Sequence, residues 1–423
     1  MLLVPYIREN KEKVAELLKV KNFKNIDVLD HILSSDEARK ETQKKLDETL
    51  AKSKNIAKEI GGLFKTGKIE EANAKKAETG VLKELTKTLT DDLSKLKEEL
   101  TSLLLKVPNI PHTSVKPGKS EADNETIKTV GEIPKLYDGA KPHWELTDQY
   151  DIIDFELGNK ITGAGFPVYK GQGARLQRAL INFFLDEATA IGFREVQPPL
   201  MVNADSGYGT GQLPDKDGQM YHVGVDDLYL IPTAEVPITN IYRDTIVDAK
   251  DFPIRNTAYS QCFRREAGSY GKDVRGLNRL HQFDKVEIVV LEHPEKSYAR
   301  LEEMSEYVQS LLTKLELPYR VLRLCGGDTS FTAALTYDME VYSAAQERWL
   351  EVSSVSNFES YQANRLKLRY KDENGKTQLA HTLNGSALAL PRIVAALLEN
   401  NQTPDGIRIP KALVPYTGFE YIK

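Results

Sequence analysis

The chain has 423 residues, 28% of them charged and 40% hydrophobic, with a formal net charge of −5. That length exceeds one ordinary core and implies two domains joined by a linker. The acidic balance excludes a protein coated in positive charge for indiscriminate nucleic-acid binding, while leaving room for a local basic stripe. No run of about eighteen apolar residues occurs, so no membrane span is expected. The opening MLLVPYIRENKEKVAELL has no continuous apolar stretch or small-residue cleavage site, so no signal peptide is expected either. The two cysteines, Cys262 and Cys325, stand far apart and outside any CxxC pair, which disfavours a disulfide framework or a zinc knuckle. A reducing, cytoplasmic setting is the expectation.

The first element is an amphipathic helix over 5–19, with Ile7, Val14, Leu17 and Leu18 on its apolar face. From 28 to 106 the texture changes: proline vanishes, aromatics are scarce and charge is dense. Leu29, Ile32, Leu46, Leu50, Ala57, Ile60 and Phe64 fall on one alternating 3–4 frame. Leu82, Leu85, Leu89, Leu93, Leu96, Leu100 and Leu103 fall on a second. Lys65-Thr66-Gly67-Lys68 between them carries the glycine of a helix stop. Two long helices joined by a short turn read as an antiparallel coiled-coil hairpin. Each arm would be roughly 50–60 Å long at about 1.5 Å per residue, so the hairpin is expected to project. Lys52, Lys54, Lys58, Lys65 and Lys68 gather toward its tip on the outgoing helix, with Lys75 and Lys76 on the return. A basic tip suits a phosphate backbone; a solvated spacer or oligomerisation helix would look similar.

Val107-Pro108-Asn109-Ile110-Pro111 breaks the second helix, and 111–142, rich in Pro, Gly, Lys, Asp and Asn, reads as the linker. The expected organisation is an N-terminal domain over 1–110 with its arm at 28–106, a linker over 111–142, and a second domain over 143–423. In the second domain 173–191 reads as an amphipathic helix, followed by an extended segment stopped by Pro198-Pro199. Strand-like runs follow at 228–232, 255–263, 277–291, 337–342 and 349–354, and a last helix at 386–399. Strands in consecutive runs favour an antiparallel α+β sheet flanked by helices. GxGxxG and GxxxxGK[ST] are both absent, so any ATP is not held by a Rossmann turn or a P-loop.

The densest chemistry lies in FRREAGSYGKDVRGLNRLHQFDKVE, from Phe263 to Glu287. Its middle reads as a loop and its ends as strands. Arg264 and Glu266 would share one strand face, and Arg279, His281, Phe283, Lys285 and Glu287 another, by the period-two rule. Leu280, Val286, Ile288 and Val290 would face a core. A presented face of Arg, Phe and Glu can stack a base and neutralise phosphates; the bland alternative is the wet side of a hairpin. Thr233-Ala234-Glu235 reads in two ways, as a strand offering Thr233 and Glu235 on one face or as Thr233 capping a helix.

These segments, in this order and behind this arm, resemble the seryl branch of the class II aminoacyl-tRNA synthetases, bacterial type. FRREAGSYGKDVRGLNRLHQFDKVE resembles motif 2, the helix before Pro198-Pro199 resembles motif 1, and LNGSALALPR, from Leu383 to Arg392, resembles motif 3. The resemblance covers essentially the whole chain and implies an N-terminal tRNA-binding arm and a class II catalytic domain. It also implies a serine–tRNA ligase activity: L-serine and ATP form an adenylate plus pyrophosphate, and serine then passes to the 3′ end of tRNA(Ser), with tRNA(Sec) a further candidate.

Residue by residue, the resemblance makes Arg264 the grip on the α-phosphate and gives Glu266 the adenine end, Phe283 the purine face, and Arg279 and Arg392 the outer phosphates and the other side of the base. Arg264 and Arg392 are thus the catalytic candidates, and Arg265 lies in the same ATP segment. Glu351-Val352-Ser353-Ser354 matches the nucleotide segment, with Glu351 and Ser354 as Mg²⁺ ligands; for both to face one way a β-bulge is required. Thr233, Ala234, Glu235, Glu287 and Ser386 match the serine site. The implied co-substrate is ATP with Mg²⁺, without zinc, in a homodimer built on motif 1. No general base is assigned, and His281 reads as structural. Bacterial seryl enzymes carry glycines where this chain has Ala387 and Pro391; Pro391, inside the expected last helix, predicts a kink beside Arg392. The lysine-rich tip would touch the long extra arm of the tRNA through its backbone. Competing readings are a prolyl- or threonyl-type class II enzyme, a truncated carrier-protein ligase and a catalytically silent scaffold. The last predicts loss of the arginines or of Glu351, and all are present.

Overall fold

The computed structural model describes residues 1–267 and 275–423. The chain divides into two units, Met1–Lys19 with Phe23–Pro108 and Val20–Asn22 with Asn109–Lys423. In the first, the leading amphipathic stretch is two helices, Val4–Glu9 and Lys11–Val20, rather than one. Asn10 interrupts them at φ −128°, ψ 30°, its Nδ2 donating back to the Tyr6 carbonyl at 3.1 Å. An asparagine amide competes in this way with the helical ladder.

Helices Val28–Lys65 and Ile69–Leu104 form the antiparallel pair, turning at Gly67 with φ +75°. Leu46, Thr49, Ile56, Ala72, Leu82, Leu93 and Leu100 are buried along their seam, with Ile60, Leu63, Leu89 and Leu96 half-buried. The expected frame drifts off this seam at Leu50, Ala57, Phe64 and Leu85, all exposed. Leu50, Ala57 and Phe64 recur every seven residues one position past Thr49, Ile56 and Leu63, so they flank the heptad stripe that the partner helix covers.

The second unit is built on an eight-stranded sheet. Its strands in chain order are β1 (Glu125–Val130), β2 (Arg194–Glu195), β3 (Ile254–Phe263), β4 (Gln282–Glu292), β5 (Tyr319–Arg323), β6 (Leu335–Ser343), β7 (Arg348–Asn357) and β8 (His381–Ala389). Their spatial order is β1-β5-β6-β7-β8-β4-β3-β2. All neighbours are antiparallel except the short β2, which runs parallel to β3. Along β4, Val286, Ile288 and Val290 enter the main core, to which helices Gly171–Ala190, Ser297–Lys314 and Leu390–Asn400 also contribute. Lys285, Glu287 and Val289 take the opposite face, where Val289 meets Ala234, Ile238 and Ala258.

Two segments depart from the sequence reading. The stretch 111–142, read as linker, contributes β1 to the sheet edge, with Val130 opposite Tyr319 and Glu125 opposite Arg323. An edge strand wet along most of its length carries no apolar alternation to betray it. The last helix starts at Leu390, and 381–389 is a strand with cover on both faces, so its apolar run lacks a period-two signature. Pro391 therefore sits in the first helical turn, where its missing N–H costs nothing, and the expected kink does not arise.

Two register slips shape the sheet near its middle. Between β6 and β7, Met339 opposes Ser353 while Glu340 opposes Glu351, leaving Val352 as the extra residue. Between β4 and β8, Lys285 opposes Ala389 while Glu287 opposes Ser386.

Candidate active site

On the face of the sheet away from the main core, β4 presents Lys285 and Glu287, both buried. Lys285 Nζ pairs with Glu287 Oε2 at 2.7 Å and donates to Thr233 Oγ1 at 2.8 Å. Asn384 Nδ2 donates to Glu287 Oε1 at 3.1 Å, and the Ser386 hydroxyl to Oε2 at 3.4 Å. The slip between β4 and β8 sets Ser386 directly opposite Glu287. Glu235, 6% exposed, accepts one bond here, from Gln362 Nε2 at 2.7 Å. Gln362 is itself held, its Oε1 accepting from Thr382 Oγ1 at 2.7 Å. Burial, and then the negative charge of Glu287, push the Glu235 carboxyl from its ordinary 4.5 up to about 7.

Thr233 and Glu235 are not on a strand: residues 232–234 turn into helix Glu235–Asn240, and the Glu235 N–H donates to Thr233 Oγ1 at 3.2 Å. The cap-like alternative describes the backbone here, and the two side chains still meet the same pocket. Ala234 is wholly buried in an apolar cluster, so its side chain offers no surface to a ligand.

Next to this pocket β3 ends at Phe263, and Arg264 follows just beyond the strand. The Arg264 guanidinium lies over the Phe283 ring, 5.2 Å from its centroid, a cation–π contact. Its Nε reaches the Pro232 carbonyl at 3.4 Å, and its backbone N–H donates to the His281 carbonyl at 2.9 Å. Glu266 turns at φ +49°, and its Oε2 accepts from Arg279 Nη1 at 3.1 Å. Neither Glu266 nor Arg279 lies on a strand, nor does His281, so period two does not group them; a left-handed turn and an ion pair do. Arg265 points elsewhere, to the Gly218 carbonyl at 3.4 Å. The middle of this segment, read as a loop, includes 268–274, outside the described residues.

His281 is tied to its neighbours by ring and backbone. Its Nδ1 lies 2.8 Å from the Tyr221 hydroxyl, its ring stacks on Phe166, and its backbone N–H donates to the Gly165 carbonyl. Gly165 is at φ +82°, and a Cβ there would come within 2.4 Å of the His281 ring.

Arg392, at the start of helix Leu390–Asn400, donates through Nη1 to the Glu351 carbonyl at 2.7 Å and through Nε to the Asn278 carbonyl at 3.1 Å. The bulge at Val352 turns Glu351 toward Ser354, whose Oγ donates to Glu351 Oε1 at 3.4 Å. This is the geometry that the spacing demanded. Val352 itself is sunk in the main core, and Ser353 Oγ ties to the Ser386 carbonyl at 2.6 Å, so these two support the segment through backbone and packing. Opposite Ser354 on β6 stands Asp338, 8% exposed, whose Oδ1 has no hydrogen-bond partner. Burial, and then Glu351, raise its carboxyl well above the usual range.

Sequence reasoning missed Lys285 as a pocket residue, along with Asn384, Gln362 and Asp338. Lys285 had a signal, since it alternates with Phe283 and Glu287. Gln362 had none, arriving from helix Ser360–Leu366. Also missed was a buried bracket behind the site: His143 Nδ1 bonds Glu399 Oε1 at 2.6 Å, and His143 Nε2 accepts the Leu277 N–H at 2.8 Å. Gln346 joins Glu399 to Asn278, so the bracket holds one of the two residues whose carbonyls Arg392 reaches.

The tip lysines are exposed or half-buried. Lys52 pairs with Glu78 at 2.8 Å, Lys68 with Glu71 at 3.1 Å, and Lys75 with Glu59. Lys54, Lys58, Lys65 and Lys76 are exposed and make no ion pair among the described residues. Exposed pairs of this kind contribute about 1 kcal/mol or less and yield readily to a competing anion.

Comparison with known proteins bears on both units. A family model for the seryl-tRNA synthetase N-terminal domain matches residues 1–111, and one for the tRNA synthetase class II core domain (G, H, P, S and T) matches 221–401. The chain is 52% identical over 424 residues to a serine–tRNA ligase of Salinibacter ruber, spanning 100% of this chain and 99% of that one. It belongs to the seryl-tRNA synthetase family. The structure of the Pyrococcus horikoshii seryl-tRNA synthetase complexed with ATP superposes with a TM-score of 0.91 at 35% identity, over 100% of this chain and 99% of that chain. The Naegleria fowleri cytoplasmic enzyme in complex with AMP gives 0.86 at 26% identity, over 100% and 99%.

Proposed function

We propose that this chain activates L-serine with ATP and transfers it to the 3′ end of tRNA(Ser), as a serine–tRNA ligase. The observation that carries this reading is the continuity between the pocket of Thr233, Glu235, Lys285 and Glu287 and the Arg264–Phe283 pair. The cluster is buried, charged and hydrogen-bonded throughout, as suits a free amino acid, and its neighbour is a cation beside a stacking plane, as suits a nucleotide. In the first step the serine carboxylate attacks the α-phosphorus; a C–O–P linkage forms, the Pα–O bond to the β-phosphate breaks, and pyrophosphate leaves. In the second, a terminal tRNA hydroxyl attacks the acyl carbon, the bond from that carbon to the AMP oxygen breaks, and AMP leaves carrying the hydroxyl proton on its phosphate.

Attack of one anion on another is limited by charge and alignment, so the protein's contribution is positioning and neutralisation. Arg264 meets the α-phosphate, Phe283 stacks the purine with Glu266 at its edge, and Arg279 and Arg392 reach the outer phosphates. Glu235 meets the substrate ammonium, and Glu287 with Ser386 the hydroxyl. No side chain has to move a proton.

The residues present fit Mg²⁺. Glu351, Ser354 and the unpartnered buried oxygen of Asp338 are hard oxygen donors gathered around one bulge. Glu351 and Ser354 would hold the ion, and when bound it offsets phosphate charge.

A homodimer built on helix Gly171–Ala190 belongs to the same reading. So do tRNA(Sec) as a second substrate and a cytoplasmic setting. The buried free thiols of Cys262 and Cys325 suit that setting, and no helix of the described residues is long and apolar enough to cross a membrane.

The test is ATP–pyrophosphate exchange with each of the twenty amino acids: serine should stand alone, and exchange driven best by another would overturn the assignment. Deleting Ser53 to Glu78 should preserve serine-dependent exchange and abolish tRNA charging. Loss of both together would refute the separation of activation from tRNA capture.

A further inference from the structure

The pocket holds two buried carboxylates, Glu235 and Glu287, and serine has one ammonium. Something must decide which carboxylate takes it. The surroundings of the two differ sharply. Glu287 is saturated: Lys285 Nζ and Ser386 Oγ reach Oε2 at 2.7 and 3.4 Å, and Asn384 Nδ2 reaches Oε1 at 3.1 Å. Glu235 has a single neutral donor, Gln362 Nε2, at 2.7 Å. Lys285 itself is 5% exposed and anchored on its other side by Thr233 Oγ1 at 2.8 Å, so its ammonium cannot swing between the two carboxylates.

From this we infer that Lys285 is the positioning residue for serine selectivity: by neutralising and orienting Glu287 it makes that carboxylate a fixed acceptor for the substrate hydroxyl, and it leaves Glu235, the one of the two carboxylates without an ion pair, for the α-ammonium. The inference rests on the serine-activating reading above. A buried carboxylate paired to a buried lysine gains little from a second cation, but its lone pairs still accept a hydroxyl proton. An unpaired buried carboxylate has the opposite preference, and its carboxyl lies high until a cation arrives. Lys285 thus converts two identical side chains into two different recognition groups. A pocket that reads a hydroxyl through such a bond rejects the analogue lacking it by roughly 10⁴-fold or more.

The experiment is ATP–pyrophosphate exchange by the full chain with serine and with alanine, which has the ammonium but no hydroxyl. In Lys285→Met, near the native shape but uncharged, the KM for serine should rise about 100-fold or more while the KM for ATP stays within about threefold, and the preference for serine over alanine should fall by a similar factor. Lys285→Arg, which restores the charge, should recover about tenfold or more of that preference. Equal rises in both KM values, or a lowered kcat with the preference intact, would mean that Lys285 only supports the fold. Should Lys285→Met fail to fold, the division between the glutamates remains testable. Glu235→Gln should raise the KM for serine and alanine to the same extent, and Glu287→Gln should raise that for serine alone. Equal losses in both variants, or the reverse pattern, overturn the inference. Wild-type enzyme inert with serine would instead sink the function itself.

Discussion

The two halves of the proposed site are built on opposite plans. On the amino-acid side Thr233, Glu235, Lys285, Glu287 and Ser386 are all buried, and each makes a hydrogen bond to another protein group there. On the nucleotide side the Arg279 side chain is 44% exposed and that of Glu351 50%, and the arginines rest on carbonyls or on a carboxylate at the rim. A small amino acid differs from its competitors by one hydroxyl or one methyl, so discrimination needs groups fixed before it arrives. A triphosphate carries its own charge and area, and long arginine side chains can close on it from positions that cost little to hold in its absence.

That contrast predicts how each half fails. The largest loss should come from the residue shared by both. Arg264→Ala removes the phosphate grip and the cation over Phe283, and adenylate formation should fall by about 10³-fold or more in kcat/KM. The unfolding midpoint should hardly change; a loss under about tenfold would reassign the grip.

The buried side should show pH dependence that the exposed side lacks. Because the Glu235 carboxyl is raised from 4.5 to about 7 in the free protein, the protonated form is favoured by folding. Its stabilising contribution is complete below 4.5 and is lost as pH rises through about 7, a difference of about 3 kcal/mol. Binding of the serine ammonium runs the other way, since it requires the ionised form. The KM for serine should therefore climb up to about tenfold per unit as pH falls below about 7, with the KM for ATP flat. Glu235→Gln should abolish the slope and stabilise the free protein at mildly alkaline pH. A KM for serine that ignores pH in this window would place the ammonium elsewhere.

On the open side, Glu351→Gln should raise the Mg²⁺ concentration needed for half-maximal exchange by about tenfold and leave the KM for serine alone. Titrating Mn²⁺ with ATP by paramagnetic resonance gives the same comparison without turnover. The smallest effect belongs to the Arg279–Glu266 pair at the rim: Glu266→Gln should change stability by less than about 1 kcal/mol and raise the KM for ATP a few-fold. A large loss of stability would show the nucleotide side to be as preorganised as its neighbour.

Much of this was legible in the chain. The heptad texture of 28–106, the alternation of Val286, Ile288 and Val290 against Lys285 and Glu287, and the demand for a bulge between Glu351 and Ser354 are local properties, and the structure has all three. What misled was equally physical. The polar edge strand Glu125–Val130 carries no apolar stripe, and the doubly covered strand His381–Ala389 carries a run buried on both faces, so neither shows period two. Glu266 and Arg279 meet through a turn at Glu266 and an ion pair, where strand alternation was expected to present them.

By itself the sequence determined the two long paired helices, the face of β4 that carries chemistry and most of the residues on it, because side-chain period and residue type act over a few neighbouring positions. Only the tertiary structure decided that Gln362 reaches Glu235, that Asn384 and Ser386 converge on Glu287, and that Asp338 stands opposite Ser354 with one buried oxygen unpartnered. Those contacts join residues remote in sequence or fix them across a strand register, and a register is set by the packing of the whole sheet.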